Sequence, residues 1–382
     1  MKIGIDARDI RRNEVNGIGR FVSNFLKYAP DIAPSWEFIV IGNQNTFFSP
    51  AHQNMKHIIM TEKSTVIWDQ VELPKLLKRE KIDIFFSPYY KTPLLAHCPT
   101  VITVHDVTPF VKIGHSVNDS QAAGGHRTAY RFGPILKLWS RLMAKNAAKI
   151  LTVSNYSKKD IVDLFEAPEG KVEVIYEGFG DEFNPRGMDE IKRAKNNYGI
   201  EGNYMLYVGN FAPHKNVEGI LKAYAKIKHE LRREYKLVLG GKKDGGRNKM
   251  ERLCVELGIA EQAIFTGFIE NKHLPAIYSG AEVFLFPSFY EGFGLPPLEA
   301  MACGTPVISS KRSCIPEILG DAAVLVDPLN SDEMARAIED VLTRRGLRQH
   351  LQERGFQKAG EYSFQKMSVD MLNIFEGLLR SN

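Results

Sequence analysis

The sequence predicts an α/β fold with two doubly wound, Rossmann-like domains, and three observations support this prediction. The chain has 382 residues, which is long for one hydrophobic core and favours two domains. Apolar runs of strand length alternate along it with amphipathic segments of helical period. The apolar runs are continuous and end in Gly, Pro, Asp or His, which is typical of parallel strands buried on both faces.

The predicted strands fall into two sets. Those of the first half are Lys2–Asp6, Phe38–Gly42, Ile84–Ser87, Thr100–His105, Ile150–Ser154 and Val172–Tyr176. Those of the second half are Met205–Gly209, Lys236–Gly240, Ala263–Gly267, Val283–Pro287, Pro306–Ser309 and Ala323–Val326. The amphipathic segments between them predict βαβ units. In one unit Asn216 is predicted to cap a helix whose apolar face runs from Val217 to Leu231.

The polar stretch Gly178–Glu190 is predicted to separate the two halves. We place the first, acceptor-side domain at residues 1–182 and the second, nucleotide-binding domain at 183–361. Residues 362–382 contain a separate amphipathic helix that we expect to cross back to the first domain. Ligands of such sheets bind outside the carboxyl ends of the strands, so two domains facing each other predict a common cleft.

Composition favours a soluble protein of the cytoplasm. The net charge of +5 is too small for its length to favour nucleic acid, but it suits an anionic small substrate or membrane surface. Four scattered cysteines without a C-x-x-C pair indicate reduced thiols. The N-terminus is not predicted as a signal peptide, and no run of about 18 apolar residues predicts a transmembrane helix.

The stretch FYEGFGLPPLEAMACGTPVISS, Phe289–Ser310, follows the buried strand VFLFPS and opens a helix. Its glycines let backbone N–H groups approach a ligand at the helix N-terminus, where phosphate binds readily. Glu291 and Glu299 would repel phosphate, but an ionised carboxylate accepts two hydroxyl donors. The combination predicts a ligand with a central diphosphate and hydroxyls at both ends, as in a sugar nucleotide. The alternative is a loop charge at Glu291 and a surface helix residue at Glu299.

This stretch resembles the signature of glycosyltransferase family 4, the retaining GT-B group, with its E-x7-E motif. Further matches in the second half are YVGNFAPHKN, FTGFIENKHLPAIYSGAEVFLFPS and IPEILGDAAVLVDP, and those in the first half are NGIGRF, TVHD and VSNYSKKDI. The resemblance covers nearly the whole chain. It implies a GT-B fold and a metal-independent hexosyltransferase that takes a sugar from a nucleotide donor and retains its anomeric configuration.

The resemblance also implies residue roles. Glu299 would hold the ribose hydroxyls and Glu291 those of the donor sugar, while backbone amides of the glycine turn approach the sugar and phosphates. Lys215 would offset the charge of the leaving diphosphate. His105 would lie by the donor sugar, or would be a structural histidine bonded to backbone. The expected catalytic residues are His105, Lys215 and Glu291, and the expected donor-binding residues are Gly17, Gly19, Asn210, Lys215, Glu291, Gly292, Phe293, Gly294, Leu295 and Glu299.

Two features depart from the family pattern. Many relatives have Arg at the position of Asn210, so one phosphate cation is missing or is supplied by another residue. The candidates for that cation are Arg20, His214 and Lys242. Gly17 and Gly19 form only part of a dinucleotide fingerprint; we interpret them as a phosphate-facing loop, with a plain turn as the alternative. No metal-ligand spacing appears, and no cofactor is expected besides the donor substrate.

The C-terminal motifs are most similar to mannosyltransferases of bacterial polysaccharide assembly. This similarity implies GDP-mannose as the first donor to test and a glycan or lipid-linked saccharide as acceptor, in polysaccharide or lipopolysaccharide biosynthesis. No nucleic acid is expected as a partner. Front-face attack and double displacement both stay open as mechanisms. The alternatives are a nucleotide-sugar epimerase or hydrolase and a non-catalytic partner subunit, to which Asn210 points.

Two segments of the first half concern partners. Pro134–Leu151 is amphipathic, with Ile135, Leu138, Leu142 and Met143 predicted on one side and Lys137, Arg141 and Lys145 flanking them. Such a helix suits peripheral contact with the inner membrane, although we favour a helix packed on its own sheet. The polar stretch Gly114–Tyr130 is predicted to be a mobile loop on the acceptor side.

Overall fold

The computed structural model describes residues 1–12, 17–110 and 133–380. Within this range the chain divides into two compact units. The first contains residues up to Phe110, then 133–178, and finally 363–380, whereas the second contains Phe179–Tyr362. The predicted loop Gly114–Tyr130 lies outside the described residues.

Each unit is an α/β structure around a parallel sheet, as the sequence predicts. The first unit contains β1 (Lys2–Asp6), α1 (Gly17–Ile32), β2 (Glu37–Gly42), β3 (Met55–Ile59), α2 (Thr65–Ile67), a π-helical turn (Trp68–Glu72), α3 (Leu73–Arg79), β4 (Ile84–Ser87), β5 (Thr100–Thr103), α4 (Gly133–Asn146), β6 (Lys149–Thr152), α5 (Asn155–Phe165) and β7 (Val172–Val174). Its strands lie in the order β3-β2-β1-β4-β5-β6-β7. The strand order therefore reverses between β1 and β4.

The second unit contains α6 (Met188–Asn197), β8 (Asn203–Val208), α7 (Val217–Lys226), α8 (His229–Glu234), β9 (Tyr235–Gly240), α9 (Gly245–Glu256), β10 (Ala263–Gly267), α10 (Leu274–Ser279), β11 (Val283–Phe286), α11 (Leu295–Ala302), β12 (Val307–Ser310), α12 (Ile315–Leu319), β13 (Ala323–Val326), α13 (Ser331–Thr343) and α14 (Arg345–Ala359). Its strands are parallel, in the order β10-β9-β8-β11-β12-β13. The reversal point is between β8 and β11.

Two local predictions need correction and one is confirmed. Strand β3 was not predicted, because it is an edge strand whose Ile59 is exposed and whose apolar run is short. The single helix expected from Val217 to Leu231 is two helices, because Ile227 adopts an extended conformation that ends α7. The cap at Asn216 is confirmed, since its side chain accepts a hydrogen bond from the backbone N–H of Gly219 at 3.2 Å.

Gly17 and Gly19 open helix α1, so both the loop and the turn expected there are wrong. The helix begins at Gly17, four residues before Phe21, which is the first of its large apolar residues to be buried. Phe21, Val22 and further residues at helical spacing pack into the core of the first unit, which stabilises the whole helix from its start.

Helix α4 also differs from its predicted pattern. Met143 and Ala144 are buried against the first unit, whereas Leu138 and Leu142 are exposed. The helix therefore packs on its own unit, as favoured, but Met143 does not share a face with the two leucines. The side chain of Ile135 lies outside the described part of the structure.

The C-terminal helix α15 (Phe364–Arg380) belongs to the first unit. It packs on α1, and its Phe375 ring lies 6.1 Å from that of Phe25 and 5.6 Å from that of Phe86. Met367 and Met371 are also buried in this cluster. The first unit thus completes its core with residues that follow the second unit in sequence.

Gly178 lies where the chain leaves the first unit, directly against the segment that returns to it. A Cβ atom at this position would lie 2.0 Å from the backbone nitrogen of Phe364. We therefore expect Gly178→Ala to lower the free energy of unfolding by about 1–3 kcal/mol, because two backbone segments must separate. Urea denaturation measures the change. Gly187→Ala is the control, because a Cβ there meets nothing within 4 Å, and an equal loss in both variants would contradict the prediction.

Candidate active site

The loops that follow β8 and β11 lie at the reversal point of the second sheet. Ligands of doubly wound sheets bind at this point, outside the carboxyl ends of the strands. The backbone N–H of Phe289 donates to the carbonyl of His214 at 2.7 Å and joins the two loops. Asn216 strengthens this link, because its side-chain amide donates to the carbonyls of Pro287 at 3.1 Å and Pro328 at 2.7 Å.

Lys215 and Glu291 form an ion pair between these loops. Lys215 Nζ lies 2.7 Å from Glu291 Oε1 and 2.9 Å from Oε2, and the two side chains are only 16% and 12% exposed. The ammonium also lies 5.3 Å from the centre of the Phe286 ring. An ammonium has three N–H donors, and two point at Glu291. The third N–H can donate to an anion, so Lys215 can bridge a carboxylate and a phosphate.

The glycine turn after Glu291 leads directly into α11. Gly294 has φ +98°, and a Cβ there would lie 3.0 Å from Ile315 Cδ1, so only glycine fits without strain. Leu295 is the first residue of the helix, and Pro296 and Pro297 after it have no N–H, so the backbone donors at this anion-binding end come from Leu295 and the glycine turn before it. The Phe293 side chain is buried and packs edge-on against the Tyr362 ring at 5.5 Å. Its side chain thus anchors the turn, while Gly292 and Gly294 on either side have no side chain.

A neighbouring segment holds this turn in place. The Ser313 hydroxyl accepts a hydrogen bond from the backbone N–H of Glu291 at 3.2 Å. The Cys314 thiol donates to the carbonyls of Glu291 at 3.2 Å and Phe293 at 3.3 Å. Burial, with the nearby charge of Glu291, raises the pKa of Cys314 well above its ordinary value. The protonated thiol is therefore the stable form, as a hydrogen-bond donor requires.

Glu299 is buried on α11, so the alternative that it is a surface helix residue is wrong. It is 4% exposed and accepts a hydrogen bond from the hydroxyl of Tyr278 at 3.2 Å. Burial and then the charge of Glu299 raise the pKa of Cys303 to about 12. The contact of Glu299 with a ribose stays a prediction.

Asn210 has a local structural contact in the β8 loop. Its side-chain oxygen accepts from the backbone N–H of Ala212 at 3.2 Å, and the Tyr207 hydroxyl donates to its carbonyl at 2.6 Å. Of the substitutes proposed for the missing cation, Lys242 follows β9 and lies 5.7 Å from the Phe268 ring. Arg20 belongs to the first unit, where its guanidinium lies 5.9 Å from the Phe364 ring.

His105 lies in the first unit, two residues after β5. Its Nδ1 is 2.9 Å from Glu177 Oε1, and its ring meets that of Phe21 edge-on at 4.9 Å. The ring thus pairs with a carboxylate at Nδ1, and its Nε2 is buried. Burial lowers the pKa of His105, but the hydrogen bond and charge of Glu177 together outweigh it and raise this pKa above its ordinary value.

This shift predicts a pH dependence of stability. Because folding raises the pKa of His105, the pair stabilises the fold fully below the ordinary histidine pKa of about 6.5 and loses this effect as pH rises through the folded value. We expect Glu177→Gln to cost about 1–2 kcal/mol of unfolding free energy near pH 6 and less near pH 9. Urea denaturation of both proteins at the two pH values measures the difference, and a cost that grows with pH would contradict the assignment.

Sequence reasoning missed a buried ionic cluster at the carboxyl end of β1. Arg8 NH2 lies 2.6 Å from an Asp6 oxygen and 2.7 Å from an Asp69 oxygen, and NH1 lies 3.3 Å from Glu62. The guanidinium stacks over the Trp68 ring, 3.7 Å from its centre. The cluster ties β1 to the π-helical turn. The only local signal in the sequence was the pair of opposite charges, Asp6 and Arg8, in the segment IDAR. The other two partners of Arg8, Glu62 and Asp69, are distant in sequence.

A pair of tyrosines directly after β4 was also missed. The ring centres of Tyr89 and Tyr90 are 4.0 Å apart, and their hydroxyls lie 2.8 Å from each other. Burial and the hydrogen bond from Tyr90 raise the pKa of Tyr89. The pair lies at the reversal point of the first sheet, between β1 and β4. The tyrosine pair could have been identified from the sequence, because it follows a buried strand directly and ligands bind at such strand ends.

The described residues contain neither a metal-binding group of side chains nor a membrane-spanning helix. Within residues 1–12, 17–110 and 133–380, no three His, Cys, Asp or Glu side chains are grouped so that they could hold a metal ion. In the same part of the chain, no helix has both the length and the apolar character needed to cross a bilayer.

Comparison with known proteins places these observations in a family. Residues 15–183 match the family described as Glycosyltransferase Family 4, and residues 188–358 match the Glycosyl transferases group 1. O-antigen chain mannosyltransferase B of Escherichia coli is 34% identical over 233 residues, which cover 60% of this chain and 61% of that protein. An uncharacterized glycosyltransferase of Methanocaldococcus jannaschii is 30% identical over 275 residues, 70% of this chain and 69% of that protein.

Solved structures show the same fold. The crystal structure of a glycosyltransferase from Rickettsia africae superposes with a TM-score of 0.75 at 16% identity, covering 100% of this chain and 99% of that one. The match to the Escherichia coli relative spans less than two thirds of its length. The predicted GT-B fold is confirmed, and the chain belongs to glycosyltransferase family 4.

Proposed function

We propose that the protein is a retaining hexosyltransferase that transfers mannose from GDP-mannose to a glycan or lipid-linked saccharide. The observation that carries the proposal is the Lys215–Glu291 pair at the reversal point of the second sheet, beside the glycine turn that opens α11. The pair combines a cation with one N–H left for a phosphate and a carboxylate with lone pairs left for hydroxyls. Mannose is supported by the name of the Escherichia coli relative, a mannosyltransferase.

The site supplies charge where the transfer reaction develops it. When the glycosidic bond breaks, negative charge builds on the leaving diphosphate and the sugar becomes oxocarbenium-like. Lys215 and the backbone N–H groups of the glycine turn and Leu295 stabilise the diphosphate, which lowers the barrier in proportion to the charge that develops. Glu291 holds Lys215 in place and accepts hydrogen bonds from hydroxyl groups of the sugar. The acceptor hydroxyl then attacks the face that the diphosphate leaves and gives its proton to the departing phosphate oxygen, and this geometry retains the anomeric configuration.

The transfer step needs no divalent ion in this mechanism, because Lys215 and the N-terminal end of α11 supply the positive charge. Glu299 would accept the ribose hydroxyls from its buried position on α11, and His105 would orient a hydroxyl of the donor sugar. We place the protein in the cytoplasm and on the inner face of the membrane, in the synthesis of a bacterial polysaccharide.

Calorimetric titration with GDP, UDP and dTDP tests the donor site directly. We expect GDP to bind most tightly and GDP-mannose to be the donor in a transfer assay with mannosides as acceptors. Proton NMR of the product gives the configuration of the new bond, which we expect to match that of the donor. Failure to bind any of the three nucleotides would remove the proposal. Release of free mannose at the full rate without acceptor would instead assign the protein as a hydrolase.

A further inference from the structure

The reversal point of the first sheet carries four half-buried side chains that the donor site does not use. Asp9 follows β1, Tyr89 and Tyr90 follow β4, and Asp106 follows β5. These three strands are neighbours in the sheet, and the carboxyl ends of parallel strands meet at one edge, where ligands bind. We call these four residues the tyrosine site.

The two tyrosines form a fixed aromatic surface. Their ring centres are 4.0 Å apart, and Tyr90 packs edge-on against Phe110 at 6.5 Å between ring centres. The two hydroxyls lie 2.8 Å from each other, so one donates its proton to the other. The second hydroxyl proton is not used within the pair and can donate to a ligand. This combination suits a pyranose ring, because its C–H groups pack on a π-face and its hydroxyls accept hydrogen bonds.

Asp9 offers a carboxylate to the same ligand. Among the described residues, its carboxylate makes no hydrogen bond and no ion pair, and burial, followed by the charge of Asp6, raises its pKa. Burial, the hydrogen bond with Tyr90 and then the charges of Asp9 and Asp106 raise the pKa of Tyr89, so these groups lie close together. A carboxylate without a partner accepts the O–H groups of a sugar.

The surroundings of the tyrosine site have an excess of negative charge. One base, Arg8, is shared by three acids, and the Lys91 ammonium lies 5.3 Å from the centre of the Tyr89 ring. Such a site repels a phosphate and favours an uncharged ligand whose hydroxyls donate to carboxylates. The charged groups are the acids Asp6, Asp9, Glu62, Asp69 and Asp106 and the bases Arg8, Arg11 and Lys91.

We propose that the tyrosine site binds an uncharged pyranose at the end of the acceptor saccharide. This inference rests on the proposed transferase function, which requires a second substrate besides the donor. The groups assigned to the donor diphosphate, Lys215 and the glycine turn, belong to the second unit, which leaves the reversal point of the first unit for the acceptor. His105, assigned to the donor sugar, lies beside the backbone of Pro88, directly before Tyr89.

Saturation-transfer NMR tests the tyrosine site with the methyl glycosides of mannose, glucose and galactose as probes. We expect wild-type protein to transfer magnetisation to the ring protons of at least one probe. Tyr90→Ala should weaken binding of that probe about tenfold, because the aromatic contact is lost. Tyr90→Phe keeps the ring and should weaken it about threefold. Asp9→Asn removes the charge and should weaken it about fivefold or more.

The 6-phosphate of the same glycoside tests the charge argument. It keeps the pyranose ring and adds a dianion close to the carboxylates of the tyrosine site. We expect it to bind at least about tenfold more weakly than the uncharged glycoside, and the difference should shrink as salt is added.

Tyr28→Ala is the matched control. Tyr28 is half-buried in the first unit, and the Lys27 ammonium lies 4.7 Å from its ring, much as Lys91 lies near Tyr89. It is in the second half of α1, the helix that returns from the carboxyl end of β1 towards the amino ends of the strands. Binding of the glycoside should match wild type. Circular dichroism checks that each variant is folded.

Kinetics separate binding of the acceptor from a loss of folded protein. Tyr90→Ala should raise the KM for the acceptor about tenfold and leave the KM for GDP-mannose within about twofold of wild type. A loss of folded protein would lower kcat and leave both KM values unchanged. If Tyr90→Ala does not fold, Tyr90→Phe and Asp9→Asn provide the same comparison.

Three results would overturn the proposal. They are wild-type protein that transfers magnetisation to none of the probes, with or without GDP, equal binding by wild type and the folded variants of Tyr90 and Asp9, and binding of the 6-phosphate as tight as that of the uncharged glycoside. Calorimetry with GDP distinguishes the two sites. GDP binding without glycoside binding removes the tyrosine site alone, whereas glycoside binding without nucleotide binding removes the proposed donor site alone.

Discussion

Lys215→Ala is expected to lower kcat/KM for transfer from GDP-mannose by roughly 30-fold to 1,000-fold, which corresponds to about 2–4 kcal/mol of lost transition-state stabilisation. The reason is that the variant loses the cation beside the leaving diphosphate and leaves Glu291, which is only 12% exposed, without its partner. The unpaired carboxylate would also repel the phosphates. Steady-state kinetics with the mannoside acceptor measure the effect.

The matched control is Lys222→Ala in the same unit. Lys222 is 48% exposed and pairs with Glu218 along one face of α7, and such surface pairs contribute little. We expect its kcat/KM to stay within about twofold of wild type. A fall of less than tenfold for Lys215→Ala would contradict the role assigned to this lysine. An equal fall in both variants would show a loss of folded protein rather than of chemistry.

Arg8→Met is expected to lower the free energy of unfolding by about 3–5 kcal/mol, because it leaves three carboxylates close together without a cation. Burial already raises the pKa of Asp69, and Arg8 partly offsets that effect. Without Arg8, the pKa of Asp69 rises further. The loss of stability should therefore shrink as pH falls through the carboxyl range near about 4, where the acids become neutral.

Urea denaturation near neutral pH and in mild acid measures this change. Arg79→Ala is the control, because Arg79 is 68% exposed and pairs with Glu80 on the surface. We expect the control to change stability by less than about 1 kcal/mol at either pH. A loss for Arg8→Met that is the same at both pH values would show that packing over Trp68 outweighs the ionic contacts.

Much of the fold could be predicted because its central strands are buried on both faces. Runs such as FIVIG and VFLFPS have almost no polar interruption, and β2 and β11 lie where they were predicted. Strand β3 is different, because an edge strand needs only one apolar face and Lys56 and His57 interrupt its sequence. The break between α7 and α8 was also missed, because an extended residue at Ile227 leaves the apolar spacing unchanged.

The candidate site was predictable only in its local parts. The glycine turn, the cap at Asn216 and the positions of Lys215 and Glu291 follow from short motifs. The contact between Lys215 and Glu291 joins residues 76 positions apart and depends on β8 and β11 being neighbours. No local pattern shows which strands are adjacent in the sheet.

Two of the missed contacts join residues that are distant in sequence. Glu177 lies 72 residues from His105, and Asp69 lies 61 residues from Arg8. Both acids lie among apolar residues, Asp69 in VIWDQV and Glu177 in VIYEGF, and neither stretch contains a motif that indicates its partner. Their roles depend on which side chains the fold brings beside them, so three-dimensional contacts were needed to identify them.

Helix α15 has a consequence for biosynthesis. During translation, the residues of the second unit are made before Met367, Met371 and Phe375. Until then, the apolar surface of α1 that these residues cover stays open to water and to other nascent chains. The first unit therefore cannot complete its core before these residues are made. If translation stopped just before Ser363, the resulting polypeptide would be prone to aggregate.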